Sequence, residues 1–152
     1  MSRIKDLQKY VHRVLNDVDP AKRASAVAHL HGVALAAVMI AKKRGENAEL
    51  AAMAGLLHDL WAYKSGSYDD HAHLGAQYAR KVLGKLELTT DEETEAICRA
   101  IMHHDDKAGV DAGLDEVLKD ADVIHHSLAD PTKEVKPHEL ERYRKLCGEF
   151  GF

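Results

Sequence analysis

The stretch AAMAGLLHDLWAY, residues 51–63, decides how this chain is read. Seven small or apolar residues run into a histidine set directly against an aspartate, His58-Asp59, and apolar residues resume at once. On a helix, His58 shares its face with Ala51, Ala54 and Gly55, whose small side chains let another helix approach closely. An imidazole and a carboxylate in such surroundings are costly to bury without a compensating partner.

Working outward, the apolar spacing is helical almost everywhere, and no run of alternating β-branched residues suggests a strand. The expected fold is all-α, a helical bundle of about six to seven helices. A first helix is expected over 3–17. The second starts at Asp19-Pro20, with the aspartate as cap and the proline in the first helical position, and runs to Gly45 behind the basic AKKR. A third runs from near Asn47 through the quoted stretch to about Tyr63. Asp69 or Asp70 caps a fourth through HAHLGAQYARKVLGK, and Thr90 with Glu93 forms a capping box that opens a fifth. A sixth, LDEVLKDADVIHHSLAD, stops before Pro131, and Pro137 opens a last short one. No repeat or linker divides the chain, so residues 1–152 are expected to form a single domain.

Composition narrows the function. A chain of 152 residues buries roughly 70% of its unfolded surface, enough for a true core. With 21 basic and 25 acidic residues the net charge is -4, so no global positive field favours nucleic acid or an anionic membrane, and neither is expected as a partner. Cys98 and Cys147 lie far apart without CxxC spacing, which suggests reduced thiols, offers no thiolate metal site and fits a cytoplasmic location. The amphipathic start is unlike a signal peptide, and no apolar run is expected to approach the roughly 18 residues of a membrane span.

Eleven histidines remain to be placed. His29 shares a stripe with Gly32, Val33, Ala36 and Ile40 and faces inward. His104 lies on the stripe of Ile97, Ala100 and Ile101, whereas His103 shares its side with Arg99. Asp122 follows Leu118 and precedes His125 and His126. A single inward histidine is ordinarily a hydrogen-bonded core residue. Several imidazoles and at least two carboxylates from four helices are different, because a divalent metal removes the cost of burying them together.

With these residues, the chain resembles the HD-domain superfamily of metal-dependent phosphohydrolases, whose pattern is His, then His-Asp, then a later Asp on an all-helical domain. HLHGVALAAVMIAKKRGENAELAAMAGLLHDL is similar to its core signature, and Val33 sets the first histidine at His29 instead of His31. LKDADVI is similar to the closing segment and implies Asp122 as ligand, with Asp120 as a nearby helper. HAHLGA and AICRAIMHH resemble segments of a branch carrying a second metal, which points to His71 and His104. The resemblance covers about 20–130, leaving 131–152 as a helical extension. It departs from the family where Ala62 stands in place of a lysine after the His-Asp pair; Lys64 or Lys107 are candidate substitutes.

The resemblance implies a first metal on His29, His58, Asp59 and Asp122 and a second on His71 and His104, bridged by Asp59. The cofactor is one or two divalent transition ions, Fe, Mn, Ni, Zn or Co. The catalytic candidates are Asp59, Asp120 and Lys64. His125 and His126 are either leaving-group or phosphate contacts or surface histidines near a helix end. The implied activity is hydrolysis of a phosphate ester or anhydride of a small, nucleotide-type substrate by metal-activated water. The alternatives are a diiron oxygenase using the same six ligands, or a domain that senses a nucleotide or a metal without turnover.

Overall fold

Helical periodicity becomes helix along most of the chain in a computed structural model that describes residues 2–152. The order is α1 (Arg3–Leu15), α2 (Pro20–Arg44), α3 (Ala48–Leu57), α4 (Leu60–Ser65), α5 (His71–Leu86), α6 (Asp91–His103), α7 (Leu114–Leu128), a 3-10 turn (Pro137–Glu139) and α8 (Leu140–Phe150). No strand occurs among the described residues. The local signals act as their chemistry requires. The Asp19 carboxylate accepts the Ala21 N–H, Pro20 opens α2, and Gly45 closes it in the left-handed region at φ 73°. Thr90 and Glu93 satisfy each other's backbone N–H groups in a capping box.

Two starts differ from expectation. The helix begun at Asn47 ends at Leu57, and the backbone at Asp59 turns to φ -112° and ψ 6° before α4 begins. Neighbouring residues on an unbroken helix do not face each other. The break lets the His58 and Asp59 side chains converge, with Nε2 and Oδ2 3.3 Å apart. Asp70 precedes α5, yet its side chain does not cap the helix; it accepts instead from His73 Nδ1 at 2.9 Å.

The bundle is organised around α2, which packs on α3 along one side and α7 along the other. Gly55 makes the first contact possible. A Cβ at that position would lie 2.6 Å from Cα and 2.7 Å from N of Ala34, so the two backbones approach as closely as atoms permit. Leu30, Val33, Ala37, Leu56 and Leu57 fill the seam, and Ile97, Ile101, Val117 and Leu118 extend it to α6 and α7. Contrary to the sequence expectation, α2 is long and apolar enough to cross a membrane by length and composition. Half of its most apolar stretch is buried inside the bundle, where its apolarity builds the core.

Gly55→Ala is expected to destabilise the fold by about 1–3 kcal/mol, since a methyl group forced against a backbone must push α2 and α3 apart. Thermal unfolding measures this, and an unchanged melting temperature would show that the close approach is dispensable.

Candidate metal centre

The α2–α3–α6–α7 packing gathers side chains that are distant in sequence. His29 projects from the middle of α2, His58 and Asp59 from the α3–α4 break, His71 from the start of α5, His104 from the end of α6 and Asp122 from α7. His58 and His104 are 0% and 1% exposed. His29, Asp59 and Asp122 are also buried and reach a cleft of about 550 Å³.

The hydrogen bonds on the outer side of each ring fix how these histidines present themselves. His58 Nδ1 donates to the Gly55 carbonyl at 2.7 Å, His104 Nδ1 to the Ile101 carbonyl at 2.6 Å, and His71 Nδ1 to the Tyr68 carbonyl at 3.0 Å. A carbonyl only accepts, so each Nδ1 carries the hydrogen and each Nε2 turns a lone pair inward. His29 Nδ1 lies 2.9 Å from His125 Nδ1, and its Nε2 also points inward. Gly32 leaves the room this needs, because a Cβ there would fall 2.1 Å from His125 Cδ2.

The inward atoms form two adjoining sets. His29 Nε2 is 3.0 Å from His58 Nε2, 3.1 Å from Asp59 Oδ2 and 3.3 Å from Asp122 Oδ1. On the other side of the same carboxylate, Asp59 Oδ1 lies 3.3 Å from His104 Nε2 and 3.6 Å from His71 Nε2. Asp59 thus spans His29-His58-Asp59-Asp122 and Asp59-His71-His104, each compact enough to hold a metal ion. Asp59 Oδ1 and Asp122 Oδ1 are buried with no hydrogen-bond partner. Lone pairs of neutral imidazoles and ionised carboxylates aimed at one another repel unless a proton or a cation lies between them. The donors therefore fit divalent ions, and imidazole with carboxylate suits the transition metals.

Without an ion, protons take that place. Burial pulls the His58 pKa down, but the Asp59 charge and contacts with Asp122 and Asp59 outweigh it and raise the pKa to about 10. Burial likewise lowers His29, while Asp122 and Asp59 raise it above its ordinary value. Burial would raise Asp59, yet the His58 charge and contacts from His104 and His29 hold it well below the usual carboxylate range. Asp122 is held low against burial by His29, His58 and Lys107. Burial and then the neighbouring His29 and His126 depress His125 to about 4, so it is neutral and its Nδ1 accepts the His29 proton.

Other candidates fall in different places. Asp120 was expected beside the metals as a catalytic helper; its carboxylate points away from them, accepting from Arg44 Nη2 at 2.7 Å and Arg142 Nη1 at 2.9 Å. The spacing explains this, because residues 120 and 122 lie on different faces of α7. Lys64, the other expected helper, is exposed over the Tyr78 ring, 6.0 Å from its centroid. Lys107 is the lysine that reaches the centre, its Nζ 2.8 Å from Asp122 Oδ2. His31 pairs with His12 at 2.7 Å, and His103 donates to Asp115 at 2.7 Å.

Some partners of the candidate residues carried no sequence signal of their own. His126 Nδ1 meets the buried Glu139 at 2.8 Å, leaving Nε2 3.4 Å from Asp122 Oδ1. Glu139 belongs to a 3-10 turn beyond α7, which no motif marks. Asp105 Oδ1 stands 4.0 Å from His71 Nε2. Tyr63, Tyr68, Lys133 and Lys136 complete the cleft wall.

The pH response follows from these shifts. With metal removed, stability from the His58 imidazolium is fully present below its ordinary value of 6.5 and is lost as pH rises through about 10. Stability from Asp59 and Asp122 is present above 3.8 and is lost as pH falls below it. The metal-free protein should melt highest between about pH 4 and 6.5, whereas the increment from added Mn(II) should keep growing as pH rises toward about 10, because the ion displaces a proton that His58 holds up to that pH. Calorimetric melts with and without chelator check both slopes. Asp120→Asn and Asp122→Asn should separate the two carboxylates. The first is expected to cost about 3 kcal/mol by breaking a buried ion pair while retaining Mn(II) binding. The second is expected to abolish Mn(II) binding in titration calorimetry.

Comparison with known proteins shows the family. The HD domain family model matches residues 27–127, more than half of the chain, a range that contains all six gathered histidines and carboxylates. The chain is also 28% identical over 123 residues to a ribonuclease Y from Rubrobacter xylanophilus, covering 80% of this chain and 22% of that protein, so it spans about a fifth of the relative's length. No solved structure matches. This chain belongs to the HD-domain family.

Proposed function

We propose that this protein is a metal-dependent phosphohydrolase that cleaves a phosphate ester or phosphoanhydride of a small, nucleotide-type substrate. The observation that carries the reading is Asp59, one buried carboxylate whose two oxygens face two separate sets of imidazole nitrogens. His29, His58, Asp59 and Asp122 would hold one divalent ion, and Asp59, His71 and His104 a second. Such ions supply a water acidic enough to attack near neutral pH and offset the charge of phosphate oxygens.

The chain's own groups account for the rest. Tyr63 and Tyr68 line the cleft, and burial raises the Tyr63 pKa, so its phenol stays protonated as a donor for a phosphate oxygen. Lys133 and Lys136 at the cleft wall offer ammonium groups to further phosphates. His126, oriented by Glu139, presents Nε2 beside Asp122, where a departing oxygen needs a proton. The shared Asp59 also supports a rival reading, a diiron oxygenase, because a carboxylate between two ion positions serves either chemistry.

The purified protein is expected to carry one to two transition-metal ions per chain and, loaded with Mn(II), to hydrolyse a chromogenic phosphodiester or a nucleotide. Asp59→Asn and His29→Ala should each lower that rate at least about a thousandfold, as removal of a central catalytic group does, while His31→Ala leaves it nearly intact. Failure to retain any of Mn, Fe, Co, Ni or Zn would end the metal reading. Dioxygen uptake by an iron-loaded sample without phosphate release would favour the oxygenase. Cleavage of an RNA oligonucleotide in preference to nucleotides would move the substrate to nucleic acid.

A further inference from the structure

The two oxygens of Asp122 have different surroundings. Oδ1 faces the Nε2 atoms of His29 and His58 at 3.3 and 3.4 Å and has no hydrogen-bond partner. Oδ2 accepts from Lys107 Nζ at 2.8 Å, and the same ammonium donates to the His104 carbonyl at 2.5 Å. The Lys107 side chain is only 5% exposed. A buried ammonium with two fixed acceptors is held in place; a solvated surface lysine is not.

The loop carrying Lys107 is fastened from the side opposite the cleft. Arg142 of α8 donates through Nη2 to the Lys107 and Gly109 carbonyls, both at 3.2 Å. Lys119, fully buried in α7, donates to the same Gly109 carbonyl at 2.8 Å. Glu116 and Asp120 hold Arg142 Nη1 at 2.8 and 2.9 Å. The charged network behind α7 therefore ends on the backbone that delivers Lys107 to Asp122.

Resting on the metal-centre reading above, we propose that Lys107 is a positioning residue that makes Asp122 a one-oxygen ligand. By occupying Oδ2 it leaves only Oδ1 for an ion, so the carboxylate cannot turn to offer both oxygens. A catalytic ion needs open positions for water and substrate, and a two-oxygen grip by Asp122 would consume one of them. The ammonium also places a positive charge near the ion, which weakens the site's hold on it. Lys107 thus gives up metal affinity to keep the ion available for chemistry.

This account predicts opposite movements of two quantities. In Lys107→Met, of similar length and without charge, Mn(II) titrated into chelator-treated protein should bind about tenfold more tightly, the order expected for one charge removed beside a divalent ion in a partly buried site. Phosphodiester hydrolysis at saturating Mn(II) should fall about tenfold or more, since an open position is lost. Lys107→Arg should restore both values toward wild type. Should Lys107→Met fail to fold, Arg142→Gln, which loosens the loop without entering the centre, should move Mn(II) affinity in the same direction by a smaller factor. Unchanged or weaker Mn(II) binding in the variant that folds overturns the proposal, because a residue needed only for stability loses affinity along with order. Wild-type protein that binds Mn(II) without hydrolysing phosphate overturns the activity reading alone, and the affinity comparison still decides the role of Lys107.

Discussion

The structure depends on an opposition of lone pairs that the fold creates deliberately. Backbone carbonyls of Gly55, Ile101 and Tyr68 take the outer hydrogens of His58, His104 and His71, which turns three basic nitrogens toward two buried carboxylates. Nothing in the bundle relieves that confrontation except a positive charge placed between the groups. The small residues of α3, the close approach at Gly55 and the break before α4 all serve to bring the confrontation about. A core designed for stability alone would fill the same volume with leucine.

Helix geometry made much of this legible in the sequence. Faces sharing residues three and four apart set His29 inward and His104 inward over His103, the resemblance at Val33 chose His29 over His31, and in the structure His31 and His103 pair with His12 and Asp115. The capping box at Thr90 and the glycine stop at Gly45 are local chemistry, and local chemistry is readable from a short window.

What the sequence concealed has a common physical cause. The interruption between Leu57 and Leu60 has no glycine or proline to announce it; it follows from the need of two consecutive side chains to meet at one point. Glu139 and Asp120 owe their roles to partners in other elements, 13 and 22 residues away for the contacts with His126 and Arg142, and Lys107, one of two candidate lysines in the sequence, is singled out only by its contact with Asp122 15 residues on. A pattern search sees an aspartate two positions before Asp122 and assigns it to the same site, whereas the helix sends it to the opposite side. Lys64 follows the His-Asp pair closely in sequence, but its side chain leaves toward solvent and Tyr78.

The fit of His125 against Gly32 ties two positions on different helices into a single packing unit. Any side chain gained at position 32 would evict the imidazole, and His29 would lose the neighbour that receives its outer hydrogen. A larger residue at position 32 would therefore need a smaller one than histidine at position 125 to pack without displacement. The absence of a side chain on α2 thereby decides which nitrogen of His29 is left to face inward.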